Sequence, residues 1–156
     1  MAIFQLSGID HRPFAPLFQL SDDELARQGI TRYVADRDEG FPCRISLEDA
    51  VAGDELLLLH YLHQPVDTPY RASGPIYVRR GQPRRVLAPG VVPAYVTRRL
   101  ISMRAYDANH MMIDADVAEG PSVASLLAQW FARPTVAYAH LHNARRGCFS
   151  CHVRRV

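Results

Sequence analysis

Most of the chain alternates between apolar and polar positions with the period of a strand, and helix-period spacing interrupts it at a few places. Residues 98–106 and 110–117 alternate most regularly. Their parity puts Ile101, Met103, Ala105, Met111, Ile113, Ala115 and Val117 on one face, and Arg98, Ser102, Arg104, Tyr106, His110 and Asp114 on the other. A three-residue loop at Asp107, Ala108 and Asn109 predicts a hairpin that sets Tyr106 against His110, Arg104 against Met112 and Ser102 against Asp114. Residues 55–63, ELLLLHYLH, are apolar on both parities, as in a central strand covered on both faces. Shorter strands are expected at residues 30–35 and 76–80, with loops at 64–75 and 81–93. A further short strand opens the chain ahead of an irregular, partly buried arm.

Helical signals are few. Ser21 with Glu24 three residues on forms a capping box, and that helix should run to about Gln28 and stop at Gly29. Residues 46–50 suggest one helical turn closed by Gly53. Gly120 and Pro121 then open a helix over 121–132, where Val123, Leu126, Leu127, Trp130 and Phe131 form one apolar stripe. The expected fold is α+β: one domain with a mostly antiparallel sheet and the 121–132 helix packed on its apolar face. An arm and short helix occupy residues 1–40, and the core occupies 41–156.

Composition narrows the partners. The chain has 156 residues, 48% hydrophobic and 22% charged, which suits one globular domain with a core of its own. No apolar run approaches the ~20 residues needed to cross a bilayer, so no membrane partner is expected. All 18 basic residues are arginine, yet the net charge is only +2. Arginine doublets begin at positions 79, 84, 98, 145 and 154. Neighbours on a strand face opposite ways, so the doublets scatter charge, and nucleic-acid binding is not expected. Three cysteines with no export leader in MAIFQLSGIDHRPF lead us to expect a reduced, cytoplasmic setting.

The densest chemistry lies in residues 134–156, PTVAYAHLHNARRGCFSCHVRRV. Two strands about a loop at residues 143–147 would set His142 opposite Cys148, His140 opposite Ser150 and Tyr138 opposite His152. Tyr138, His140, His142, Cys148, Ser150, His152 and Arg154 would then share a polar face, and Ala137, Ala139, Leu141, Phe149, Cys151 and Val153 a packed one. Cys148-x-x-Cys151-His152 matches a haem-attachment pattern and half of a zinc knuckle. The same parity separates the two sulfurs, and Cys151 reads as a small core hydrophobe. His60 is expected to be satisfied within the core, and His63, at its strand's end, to face a pocket.

The stretches FPCRISLEDAVAGDELLLLHYLHQP, TPYRASGPIYVRR, ISMRAYDANHMMIDADVAEG and HLHNARRGCFSCHVRR resemble a bacterial family catalogued as domain of unknown function 1203. The resemblance runs collinearly over residues 41–156 and brings no activity, cofactor or residue role with it.

Three functions are therefore weighed on the residues alone. The first is an enzyme or small-molecule binder working on an anionic ligand. Its candidates are Cys148 and His142 as thiol and base, with Arg44, His63, Tyr70, Arg71, Arg104, Tyr106 and Asn143, and also Cys43, as ligand contacts. Against it stands a plain pairing of Arg104 with Asp114. The second is a zinc site from His140, His142, Cys148 and His152; otherwise no cofactor is expected. The third is a non-catalytic protein that associates as a homodimer through a sheet face or edge.

Overall fold

The computed structural model describes residues 3–156. Its strands are β1 (Phe4–Ser7), β2 (Thr31–Val34), β3 (Pro42–Cys43), β4 (Glu48–Asp49), β5 (Glu55–Gln64), β6 (Ala72–Arg79), β7 (Leu100–Tyr106), β8 (Met112–Glu119), β9 (Tyr138–Asn143) and β10 (Phe149–Arg155). Its α-helices are α1 (Asp22–Arg27), α2 (Ala94–Thr97) and α3 (Val123–Phe131). The strands form two five-stranded sheets, ordered β1-β10-β9-β7-β8 and β2-β5-β6-β3-β4. Every strand pair is antiparallel except β3 with β6. This is the expected α+β domain, with the strands divided between two sheets.

Helix α3 covers one face of the first sheet. Val123, Leu127 and Phe131 are fully buried there, against Ile101, Met103, Ala105, Ala139, Leu141, Cys151 and Val153. Gly120 is required at its entry, because a Cβ there would stand 2.3 Å from the Thr97 carbonyl oxygen. A second cluster joins the sheets: Phe149 of β10 packs with Leu57, Leu59, Ile76 and Val78, and the arm adds Phe14, Phe18 and Leu25. The arm is held by the predicted capping box, in which Ser21 Oγ accepts from the Glu24 amide and the Glu24 carboxylate accepts from the Ser21 amide.

The β7–β8 hairpin forms, but with its outer strand turned over. Its loop is longer than expected: Asp107 Oδ1 accepts from the amides of Asn109 and Met111, and His110 takes the left-handed conformation at φ 64°. With an irregularity between Ala105 and Tyr106, Ala105 pairs with Asp114, Arg104 with Ala115 and Ser102 with Val117. An odd shift in register exchanges the faces of a strand. Ile101, Met103 and Ala105 are buried as expected, whereas Ile113 and Val117 are 41% and 59% exposed.

The β9–β10 hairpin departs only near its loop, and beyond it Cys151 and Val153 keep the expected packed face and His152 the expected polar face beside His140. Asn143 and Cys148 close the loop, His142 pairs with Phe149, and a bulge at Ser150 then sets His140 against His152 and Tyr138 against Arg154. The bulge moves Phe149 from the α3 face to the core between the sheets.

Smaller corrections follow from local geometry. Residues 46–50 form no helical turn; Leu47, buried at φ 54°, turns β3 into β4. Strand β6 starts earlier than expected, and its Pro75 is tolerated because β3 pairs with it only at Tyr77. His60 is exposed and bonds Ser73 Oγ at 2.8 Å instead of lying in the core.

Candidate functional site

A cleft of about 800 Å³ opens between the second sheet and the ends of β7, β8, β9 and β10. Six arginines line it: Arg37, Arg44, Arg98, Arg99, Arg145 and Arg146. Arg44, just past β3, is 1% exposed. Its Nε donates to the Phe149 carbonyl and its Nη1 to the Pro42 carbonyl, each at 2.7 Å, and its Nη2 approaches Cys148 Sγ at 3.1 Å. A guanidinium stays charged in a protein, and those bonds leave it without a carboxylate.

Arg98 and Arg99 both grip the buried Asp49, at 2.9 and 2.6 Å. Arg145 and Arg146 stand exposed in the β9–β10 loop, and no carboxylate among the described residues lies within ion-pair distance of either. The loop's shape comes from Gly147, whose φ of 78° turns the chain and whose amide donates to the Asn143 carbonyl at 2.7 Å. Cys148 lies beside it, and its Sγ also takes a weak contact from Asn143 Nδ2 at 3.7 Å.

A second polar layer runs deeper along β9. His63, from the end of β5, lies with its ring centroid 5.0 Å from His142 and 6.1 Å from His140, and it stacks on Phe149 at 5.2 Å. His152 joins at 5.5 Å from His140. Burial disfavours the imidazolium in each. It pushes His63 and His152 down to about 4, His142 to about 3 and His140 to about 2, with Arg104 adding a like-charge effect on the first, third and fourth of the rings at 63, 152, 142 and 140. His142 Nδ1 donates to the Gly147 carbonyl at 3.0 Å. His142 Nε2, His63 Nδ1 and His140 Nδ1 are buried without a hydrogen-bond partner among the described residues. At the far end Tyr106 stacks on Tyr138, whose hydroxyl meets Gln64 Nε2 and His110 Nδ1.

The sequence candidates therefore divide. Arg44, Asn143 and Cys148 line the cleft. His63, His142, Arg104 and Tyr106 belong to the histidine layer, and Tyr70 borders it through Tyr106 at 6.2 Å. Arg71 is exposed, 4.0 Å from Asp67. Cys43 is buried, its sulfur taking the Arg79 amide at 3.3 Å. The expected pairing of His142 with Cys148 does not form, because the register gives His142 to Phe149 and the Cys148 sulfur to Arg44. The zinc set of His140, His142, Cys148 and His152 is split for the same reason; no group of three metal-ligating side chains is placed to hold an ion among the described residues. Asp114 pairs with Arg133 at 2.8 Å, not with Arg104. Sequence reasoning overlooked the arginines at 37, 98, 99, 145 and 146, and Tyr33, Phe41 and Tyr77 on the cleft's apolar side.

A family model matches residues 40–155. The chain belongs to the family described as protein of unknown function (DUF1203). The matched span contains every cleft residue except Tyr33 and Arg37. No curated protein and no solved structure matches this DUF1203 chain. No helix among its described residues is long and apolar enough to cross a membrane.

Proposed function

We propose that the protein binds a small anionic molecule in the arginine cleft, with Cys148 and Asn143 at its floor. The observation that carries this reading is Arg44: a buried, permanently charged guanidinium without a carboxylate, at the edge of an 800 Å³ opening. Burying a charge is costly, and here only carbonyls and a sulfur offset it. Arg145 and Arg146 add two cations at the rim with no acid partner, and a guanidinium fork suits carboxylate or phosphate. Were the bound molecule an electrophile, Cys148 would be the nucleophile in reach, without help from His142.

The test is an anion titration followed by calorimetry, using phosphate and citrate, on the native chain and on Arg145→Ser/Arg146→Ser. Affinity should fall about tenfold or more in the double variant, and should weaken as salt is raised. Thermal stability should stay within about 0.5 kcal/mol, because both side chains are exposed. Equal affinity in the two proteins would sink the proposal.

A second reading, association of two copies, is supported by β8. It is an edge strand whose Ile113 and Val117 are exposed. Light scattering at high protein concentration checks it, and a monomeric mass throughout would remove it.

A further inference from the structure

The cleft is more than a ring of cations. Among its lining residues, Phe41 and Tyr77 meet edge to face with centroids 5.5 Å apart, Tyr33 meets Tyr77 the same way at 5.7 Å, and the Arg37 guanidinium lies over the Phe41 ring at 5.6 Å. Leu58, Pro75, Ile76 and Leu100 continue this wall. Tyr33 remains 38% exposed, so part of the aromatic surface faces the opening. Burial, with Tyr33 beside it, raises the Tyr77 phenol, while Arg146, Arg44 and Arg37 pull it the other way. A bare inorganic anion would engage the arginines and leave the wall in water. The volume lies in the upper part of the roughly 300–1,000 Å³ range of pockets that enclose drug-sized ligands.

Resting on the anionic-ligand reading, we infer that the cleft takes a flat aromatic ring carrying a carboxylate or phosphate: the ring against Tyr33 and Tyr77, the anion towards Arg44, Arg145 and Arg146. Aromatic pairs gain from offset and edge-to-face geometry beyond what area alone gives. A flat ring is therefore favoured over a saturated ring of like size. Both anions fit a guanidinium fork, so the anion's chemistry is left to experiment.

The test is an amide-resolved NMR titration of the full chain with four probes: phenyl phosphate, inorganic phosphate, benzoate and cyclohexanecarboxylate. Phenyl phosphate should bind about tenfold or more tighter than inorganic phosphate, and benzoate several-fold tighter than cyclohexanecarboxylate, with shifts at the Gly147 and Cys148 amides. Comparing the two aromatic probes shows which anion is preferred. Tyr33→Leu should erase the preference for the flat ring and leave inorganic phosphate binding unchanged. This variant is chosen because Tyr33 is partly exposed, and its amide spectrum reports whether it stays folded. Equal binding of benzoate and cyclohexanecarboxylate would overturn the aromatic inference while the anion reading stands. Binding of none of the four would overturn both.

Discussion

The arginine cleft and the histidine layer share β9 and β10, yet they handle buried polarity in opposite ways. In the cleft, Arg44 cannot lose its proton, so the fold surrounds it with the carbonyls of Phe149 and Pro42 and leaves its charge uncancelled. In the layer, four imidazoles can lose theirs, and burial keeps them neutral well below the usual histidine range. The first arrangement suits an anion. The second offers lone pairs and N–H groups but no charge. A polar face on a sheet is thus not one site. Which residue types can discharge themselves decides where a charged ligand is held.

The largest effect expected from this contrast is on acid stability. The four histidines have folded pKa values below the ordinary 6.5, so the unfolded chain binds more protons as pH drops under 6.5. Their contribution is complete above that value and is lost as pH falls towards the folded values of about 4, 3 and 2. Each imidazole that stays neutral costs about 1.4 kcal/mol per pH unit in that window, so stability should drop by several kcal/mol between pH 6.5 and 5. Carboxylates contribute little there because their ordinary range, about 4, lies below the window, and Asp54 and Glu55, held lower still in the fold, add their own loss only at more acid pH. Urea unfolding at a series of pH values measures the slope, and His140→Gln should flatten it by about one proton. A flat midpoint from pH 7 to 5 would mean that the layer already admits protonated histidine.

Next in size is Arg44→Met. The change leaves the Phe149 and Pro42 carbonyls without donors in a buried setting, at a cost of roughly 1–3 kcal/mol each, partly offset by removal of a buried charge. We expect a net loss of about 3 kcal/mol by denaturant unfolding, together with loss of anion binding. Arg44→Lys should not restore the protein, because an ammonium cannot reach both carbonyls and Cys148 from one planar fork. A loss below about 1 kcal/mol would put Arg44 among incidental buried residues.

Much of the fold was legible because its signals are local. The Ser21 box, the Gly29 stop, the α3 stripe and the central strand β5 are each set by neighbouring residues, and all four formed, although one face of β5 is open at His60 and Leu62 instead of covered. What failed was register. The longer loop exchanges the faces of β8, the bulge displaces Phe149 alone to the other side of β10, and nothing in the alternation announces the Asx turn at Asp107 or the bulge at Ser150. The candidate site was affected through the same errors, since Cys148 was assigned to His142 instead of Arg44. The arginine doublets were misread for a different reason. Arg145 and Arg146 sit in a loop, and Arg98 and Arg99 precede β7, so strand alternation does not separate their side chains, and both pairs reach one cleft. Doublets at the ends of strands carry the signal that doublets within strands lose.

The smallest expected effect separates the two regions most directly. Cys43 and Cys151 are fully buried, whereas Cys148 is partly exposed in the cleft. One thiol per folded chain should therefore react readily with iodoacetamide, and Cys148→Ser should remove that reaction at a stability cost below about 1 kcal/mol. His142→Asn should change the alkylation rate by less than about twofold, because the imidazole bonds the Gly147 carbonyl and not the sulfur. Citrate present during the reaction should slow it by occupying the arginines around the thiol. A His142 variant that slowed alkylation tenfold, with citrate having no effect, would assign Cys148 to the histidine layer. The cleft would then lose the one group through which it could act on what it binds.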